Sequence, residues 1–202
     1  MNIFHRWYCN SDAWAKRLQG AMIPWALGDA DLGDDVIEIG PGPGLSTDYL
    51  RDRVPHLTSI EVDHKLAQAL IGRMAGTNVT VVEGDGAAMP FPDASFSAAV
   101  CFTMLHHVPT PELQDKLLAQ ACRVLRPGGV FLGADSTPTL RWRVYHLFDD
   151  CVPVDPDAFA ARLEAAGFIN ATVPRGPDVF RVRARQHARG RVETRPPRSL
   201  MR

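Results

Sequence analysis

The stretch Val36-Ile-Glu-Ile-Gly40-Pro41-Gly42-Pro43-Gly44 constrains this chain more than any other. A short apolar strand that runs into glycines and then into a helix is a nucleotide-binding turn at the C-terminal edge of a sheet. Glycine is needed there because the backbone turns sharply and a ligand approaches where a Cβ would stand. The spacing is GxGxG, not the GxGxxG of a dinucleotide turn, and Leu45 occupies the place of the third glycine. Two of the five loop residues are prolines, which carry no N–H. A loop that cradles a pyrophosphate needs donors. Here only the amides of Gly40, Gly42 and Gly44 are on offer, which suits a nucleoside without phosphates better than NAD. No GxxxxGK[ST] is present, so a P-loop is excluded.

From that turn onward strands and helices alternate. Val36–Ile39, Leu57–Val62, Val79–Val82, Phe96–Phe102, Val130–Ala134, Phe168–Val173 and Val179–Arg183 read as strands. Leu45–Arg53, His64–Met74, a segment from Pro111 to about Leu125 and one from Pro156 to Gly167 read as helices. Asp63, Thr110 and Asp155 are their N-caps, and Pro127-Gly128-Gly129 and Gly167 are stops. This rhythm predicts an α/β fold whose seven-stranded, mostly parallel sheet carries helices on both faces. Pro174–Asp178 is too short for a crossover helix, so the last two strands should pair antiparallel. Ahead of the sheet, Ser11–Trp25 predicts a helix with Trp14, Leu18, Met22 and Trp25 on one face.

Composition removes other classes. With 202 residues, 46% hydrophobic and 22% charged, the chain can bury one core without staples. Apolar stretches such as Ala21–Leu27 and Ala98–Leu105 fall short of the roughly 18–20 residues of a membrane span. His5, Arg6, Asn10, Ser11, Asp12, Lys16 and Arg17 interrupt the beginning, so no secretory segment is expected. Cys9, Cys101, Cys122 and Cys151 form no CxxC, and the histidines form no HxxxH; adjacent residues such as His106 and His107 seldom face the same metal. The expectation is therefore no metal and a cytoplasmic location. Cys101 and Cys122 read as buried packing. The net charge of −1 conceals an asymmetry: residues 175–202 carry nine arginines against Asp178 and Glu193, which makes them +7 and the remainder −8. Residues 185–202 read as a mobile basic tail; a solvated terminus is favoured over a nucleic-acid or anionic-surface contact.

Two further acids belong with the glycine turn. Glu61 ends the next strand, 21 residues after Gly40, where a carboxylate accepts both ribose hydroxyls. Asp85, between Gly84 and Gly86 after the third strand, can take an exocyclic amine while a neighbouring amide donates to a ring nitrogen. Asp63 competes with Glu61 but is better placed to cap a helix.

With these residues assembled, the chain resembles the class I S-adenosylmethionine-dependent methyltransferases, in particular the small-molecule, type 11-like branch and an actinobacterial member of it. The resemblance is carried by Val36 to Gly44, Ile60-Glu-Val-Asp63, Gly84-Asp85 with Met89-Pro-Phe-Pro-Asp93, Met104-Leu-His-His-Val108 and Arg123-Val-Leu-Arg-Pro-Gly-Gly129, in family order over roughly residues 34–184. It implies a Rossmann-like methyltransferase domain at 34–184, a helical segment or lid at 1–33 and the tail beyond. It implies S-adenosyl-L-methionine as cofactor and S-adenosyl-L-homocysteine as product. Gly40, Pro41 and Gly42 would pass by the methionine moiety, with Glu38 orienting its ammonium through water. Glu61 would hold the ribose and Val62 pack on the base. Asp85 and the Gly86 amide would read the adenine, and Phe102 would touch the methionine side from below. Ser97 stands where the family usually has Asp, at a structural position.

A sulfonium methyl is already activated, so alignment supplies much of the catalysis, and a base is needed only for a protonated nucleophile. His106 and His107 follow the fourth strand and are the candidates for base or acceptor partner; a packing role for one of them weighs against this. Phe4–Tyr8 and Leu140–Asp150, with Trp142, Tyr145, His146 and Phe148, either cover an apolar acceptor or pack as core. Thr103-Met-Leu-His is not the Asn/Asp-Pro-Pro-aromatic signature of nucleobase-amine methylation, so nucleic acid is disfavoured. The expected partner is a small or lipid-like acceptor, with the chain a monomer or homodimer. A non-catalytic cofactor sensor, an rRNA methyltransferase using the arginine-rich tail and a dinucleotide oxidoreductase are the competing readings.

Overall fold

The computed structural model describes residues 11–139, 142, 144 and 151–188. Cys9, Phe4–Tyr8, Tyr145, His146, Phe148 and the tail beyond Ala188 lie outside the described residues. Seven strands form one sheet: β1 (Asp35–Ile39), β2 (His56–Glu61), β3 (Val79–Glu83), β4 (Phe96–Phe102), β5 (Leu125–Ser136), β6 (Phe168–Thr172) and β7 (Val179–Gln186). Their spatial order is β3-β2-β1-β4-β5-β7-β6. β7 runs antiparallel to both β5 and β6, and the other pairings are parallel. This is the Rossmann-like α/β sheet expected from the alternation, with the antiparallel pair at its end.

Side-chain alternation divides the core between the two faces. Val36, Leu57, Ala98, Val100 and Leu132 point to one face. There they meet Leu18, Met22, Ile23, Leu50, Leu70 and Met74. Ile37, Ile39, Ala99, Cys101 and Phe131 point to the other, against Leu117, Leu118, Ala121, Phe159 and Leu163. The covering helices are α1 (Asp12–Arg17) and α2 (Ile23–Leu27), joined by a π turn, then α3 (Leu45–Arg51), α4 (His64–Met74), α5 (Pro111–Val124) and α6 (Pro156–Ala165). Asp63, Thr110 and Asp155 each accept amide hydrogen bonds at the starts of α4, α5 and α6, as their sequence positions imply.

Two elements depart from the sequence reading. The N-terminal helix does not keep one face throughout. Pro24 has no N–H to give Gly20, and the chain passes through a π turn over Leu18–Met22, where the Ile23 amide reaches the Leu18 carbonyl. The extra residue rotates the face, so Ile23, Ala26 and Leu27 are buried while Trp14 and Trp25 are only half-buried. Pro127-Gly128-Gly129 does not form a turn between α5 and a strand. It lies inside β5, which begins at Leu125 and absorbs the excess by a register shift opposite Phe96 and Ala98. A Cβ on Gly129 would stand 2.9 Å from the Ser97 carbonyl oxygen, so this crossing requires glycine. β7 continues through Arg185 and Gln186, two residues into the segment read as tail.

Candidate active site

The parallel register brings the ends of β1, β2, β3 and β4 level. Ile39 stands opposite both Ile60 and Cys101, and Glu61 opposite Glu83. The loops that leave these ends open onto one cavity of about 540 Å³, a volume in the usual range for small-ligand sites. Gly40, Pro41, Gly42, Glu61, Val62, Asp85, Gly86 and Phe102 all line it. Gly42, Glu61 and Asp85, on which a shared nucleoside site depends, therefore face the same space.

The glycine loop uses its own donors. The Gly40 amide donates to the Ile60 carbonyl, the Gly44 amide to the Pro41 carbonyl (both 2.9 Å) and the Gly42 amide to Glu61 Oε2 at 2.9 Å. With Pro41 and Pro43 between them, none of the three glycine amides is left for a phosphate. Gly40 and Gly42 have φ of +65° and +56°. A Cβ at Gly40 would lie 2.5 Å from Met104 Cε, whereas one at Gly42 meets nothing within 4 Å. Gly40 is thus glycine for packing, and Gly42 presents bare backbone to the cavity.

Glu61 is buried, and both its oxygens are engaged: Oε2 by Gly42 and Oε1 by the Asp63 amide at 2.9 Å. A carboxylate offers about four lone-pair sites, so these two bonds orient it and leave room for two hydroxyl donors. Asp63 spends its side chain on the amides of Lys65 and Leu66 at the start of α4 and does not compete. Asp85 is exposed, and its Oδ1 accepts the Ala87 amide at 2.8 Å. Val62 is 69% exposed and presents an apolar surface at the cavity.

Glu38 is the one candidate cofactor residue that does not line the cavity. Its Oε2 accepts the hydroxyls of Thr47 and Ser59, both at 2.7 Å, while Oε1 is buried without a hydrogen bond. Burial pushes this carboxyl above the usual range, and the hydroxyls of Ser46, Thr47 and Ser59 pull against it. An orphaned acceptor directly under the loop fits a water-mediated cation contact better than a direct one.

The two histidines are in ring contact, centroids 4.1 Å apart, but differ in exposure to the cavity. His107 lines the cavity, and His106 is buried beneath it. His106 Nδ1 lies 2.5 Å from Asp135 Oδ1, and the His106 amide donates to Asp135 Oδ2 at 3.2 Å. Burial opposes ionisation of Asp135, yet the facing His106 and the amides of Ser136 and His106 hold its carboxyl below the usual range. Two features escaped the sequence reading. Asp135 was visible only as a lone acid ending an apolar run. Cys151, whose Sγ lies 3.3 Å from His107 Nδ1, gave no sequence signal across 44 residues. Trp14, Leu18, Met104, Val108, Pro109 and Leu113 are among the apolar residues of the wall. Cys101 and Cys122 are buried, and burial pushes both thiols up.

Residues 37–133 match the family model described as a methyltransferase domain. That match takes in just under half of the chain, 97 of 202 residues, and makes this stretch similar to a methyltransferase domain. The chain is 33% identical over 119 residues to a probable S-adenosylmethionine-dependent methyltransferase of Mycolicibacterium smegmatis, covering 59% of this chain and 44% of that protein. It is 43% identical over 61 residues to the ribosomal RNA small subunit methyltransferase A of Geobacter sulfurreducens, covering 30% of this chain and 22% of that one. The chain thus spans less than half of either relative. The solved PH0226 protein of Pyrococcus horikoshii superposes with a TM-score of 0.75 at 13% identity, over 89% of this chain and 94% of that one. The similarity to a methyltransferase domain and the S-adenosylmethionine-dependent relative from Mycolicibacterium agree with the resemblance read from the sequence. Among the described residues no helix is long and apolar enough to cross a membrane.

The cavity fits the family's cofactor on its own features. It has carboxylates at two strand ends for hydroxyls and an amine, a bare backbone at Gly42, an apolar face at Val62, and no loop amide for a phosphate.

Proposed function

We propose that this protein is a methyltransferase that transfers the methyl group of S-adenosylmethionine to a small or lipid-like acceptor. The observation that carries the proposal is the cavity itself, which brings Glu61 and Asp85 from the ends of β2 and β3 together with an apolar wall of Phe102, Met104, Val108, Leu113 and Trp14. Glu61 would fix the ribose, Asp85 and the Gly86 amide the adenine, and Glu38 the ammonium through water. When bound, the cofactor supplies an electrophilic methyl on a sulfonium. The protein's share is to hold donor and acceptor in line and keep water out. Of the two histidines, His107 is the one positioned to meet the acceptor.

The test is calorimetry with S-adenosylhomocysteine, followed by incubation of the protein and labelled S-adenosylmethionine with a lipid and small-molecule extract. Binding at one site and labelled extractable product support the proposal. Binding without any labelled product favours a sensor. Label in RNA favours the nucleic-acid reading. Against that last reading, three arginines of the basic segment already have protein partners. Arg181 donates to the Trp25 carbonyl at 2.7 Å, Arg183 to Asp29 at 3.2 Å and Arg185 to the Gly128 carbonyl at 3.0 Å.

A further inference from the structure

We propose that His106, His107 and Cys151 form a binding site for a thiophilic divalent cation of the zinc class, set in the wall of the acceptor end of the cavity. One ligating atom from each residue lies within 4.8 Å of the other two. The set joins two distant stretches, the turn Leu105–His107 after β4 and the approach to α6. Backbone hydrogen bonds hold them together without any ion. The Val152 amide donates to the His106 carbonyl at 2.8 Å. The Gln114 side chain bridges the carbonyls of Leu105 and Val152 at 3.1 and 3.0 Å.

The distances suit such a cation. Zinc bonds of about 2.3 Å to sulfur and about 2.0 Å to nitrogen put neighbouring S and N ligands about 3.5 Å apart in a tetrahedron. Cys151 Sγ and His107 Nδ1 are 3.3 Å apart. The widest spacing, at most 4.8 Å, closes with a side-chain shift of about 1 Å. His106 also has the supporting shell that metal-bound histidines use. Asp135 sits 2.5 Å from its Nδ1, buried with it. A carboxylate there fixes the proton on Nδ1 and leaves the lone pair on Nε2, the form a cation binds. Thiolate and imidazole together select a soft, zinc-like ion over magnesium or calcium.

Among the described residues three ligands come together, the number that catalytic zinc sites take from protein. His107 lines the cavity, so the site borders the space where an acceptor would lie. A soft cation there would bind an acceptor thiol, whose proton passes to solvent. The thiolate sulfur would form the new S–C bond as the sulfonium C–S bond breaks, with its electron pair staying on the departing thioether. This role rests on the methyl-transfer reading; the cation site does not.

The experiment uses the full chain, stripped with chelator and titrated with Co²⁺ while ligand-to-metal absorption is followed, then with Zn²⁺ in competition with a chromophoric chelator. The expected result is one equivalent of Co²⁺ with a cobalt–thiolate band in the near ultraviolet, lost in Cys151→Ser, and zinc affinity at least tenfold weaker in that variant. His107→Gln should weaken zinc binding equally, which keeps the test decisive if Cys151→Ser folds poorly. The absence of a thiolate band in the wild type, or a band unchanged by both substitutions, overturns the site. S-adenosylhomocysteine affinity measured on the same samples separates the two readings. Its absence beside an intact cobalt band counts against methyl transfer and leaves the cation site standing.

Discussion

At the level of single residues, the two loop glycines should behave differently. Gly40→Ala places a Cβ against Met104 as well as straining a positive φ, so it should unfold the chain at lower denaturant. Gly42→Ala meets no protein atom. It should cost only about 1 kcal/mol of backbone strain while weakening S-adenosylhomocysteine binding at least tenfold; chemical melts and calorimetry on both variants check this. Glu38 makes a prediction in pH. Its folded-state value is raised, first by burial, so the folded protein holds that proton more tightly than the unfolded chain does. Stability is therefore lost as pH rises from the ordinary carboxylate range through the raised value. Glu38→Gln should be no less stable than wild type at neutral pH, with its advantage vanishing in urea melts at about pH 4, and it should bind the cofactor more weakly. That Gly42, Glu61 and Asp85 share one cavity was legible in the sequence because each sits at a strand end, where topology dictates position. Which histidine faces the cavity was not legible, because that depends on the tight turn at Leu105–His107 and on a pairing with Asp135 across another strand.

At the level of elements, the caps and strand ends follow from local chemistry, and the exceptions turn on a single residue together with what packs beside it. Asp63, Thr110 and Asp155 could be read as caps because capping is settled within one turn of chain. The π turn before Pro24 and the glycine crossing inside β5 could not, since both depend on what lies alongside. Ser97 illustrates a tertiary role with a local test. Its hydroxyl accepts the Asp35 amide at 3.1 Å and lies 2.6 Å from the Leu32 carbonyl, tying the entry of β1 to β4. Ser97→Ala should cost about 1–2 kcal/mol in denaturant melts with unchanged cofactor affinity, because the tie lies at the opposite end of β1 from the glycine loop.

At the level of the whole molecule, the buried Asp135–His106 pair joins the tip of β5 to the turn after β4 and so underpins the acceptor side of the cavity. Burial opposes the charge on Asp135, but its partners hold its folded-state value low. The pair therefore stabilises the fold above the ordinary carboxylate range, and that contribution fades as pH falls towards the lowered value. Asp135→Asn should lower stability at neutral pH by about 3–5 kcal/mol and flatten the acid limb of the unfolding curve, as measured by thermal melts across pH. For methyl transfer, the tips of β1, β2 and β3 must together hold one nucleoside. Isothermal titration of S-adenosylhomocysteine into wild type, Glu61→Ala and Asp85→Ala tests this most directly. One site in the wild type, weakened at least tenfold in each variant while the variants stay folded, is the predicted result; no wild-type binding, or equal affinity in all three, would contradict it.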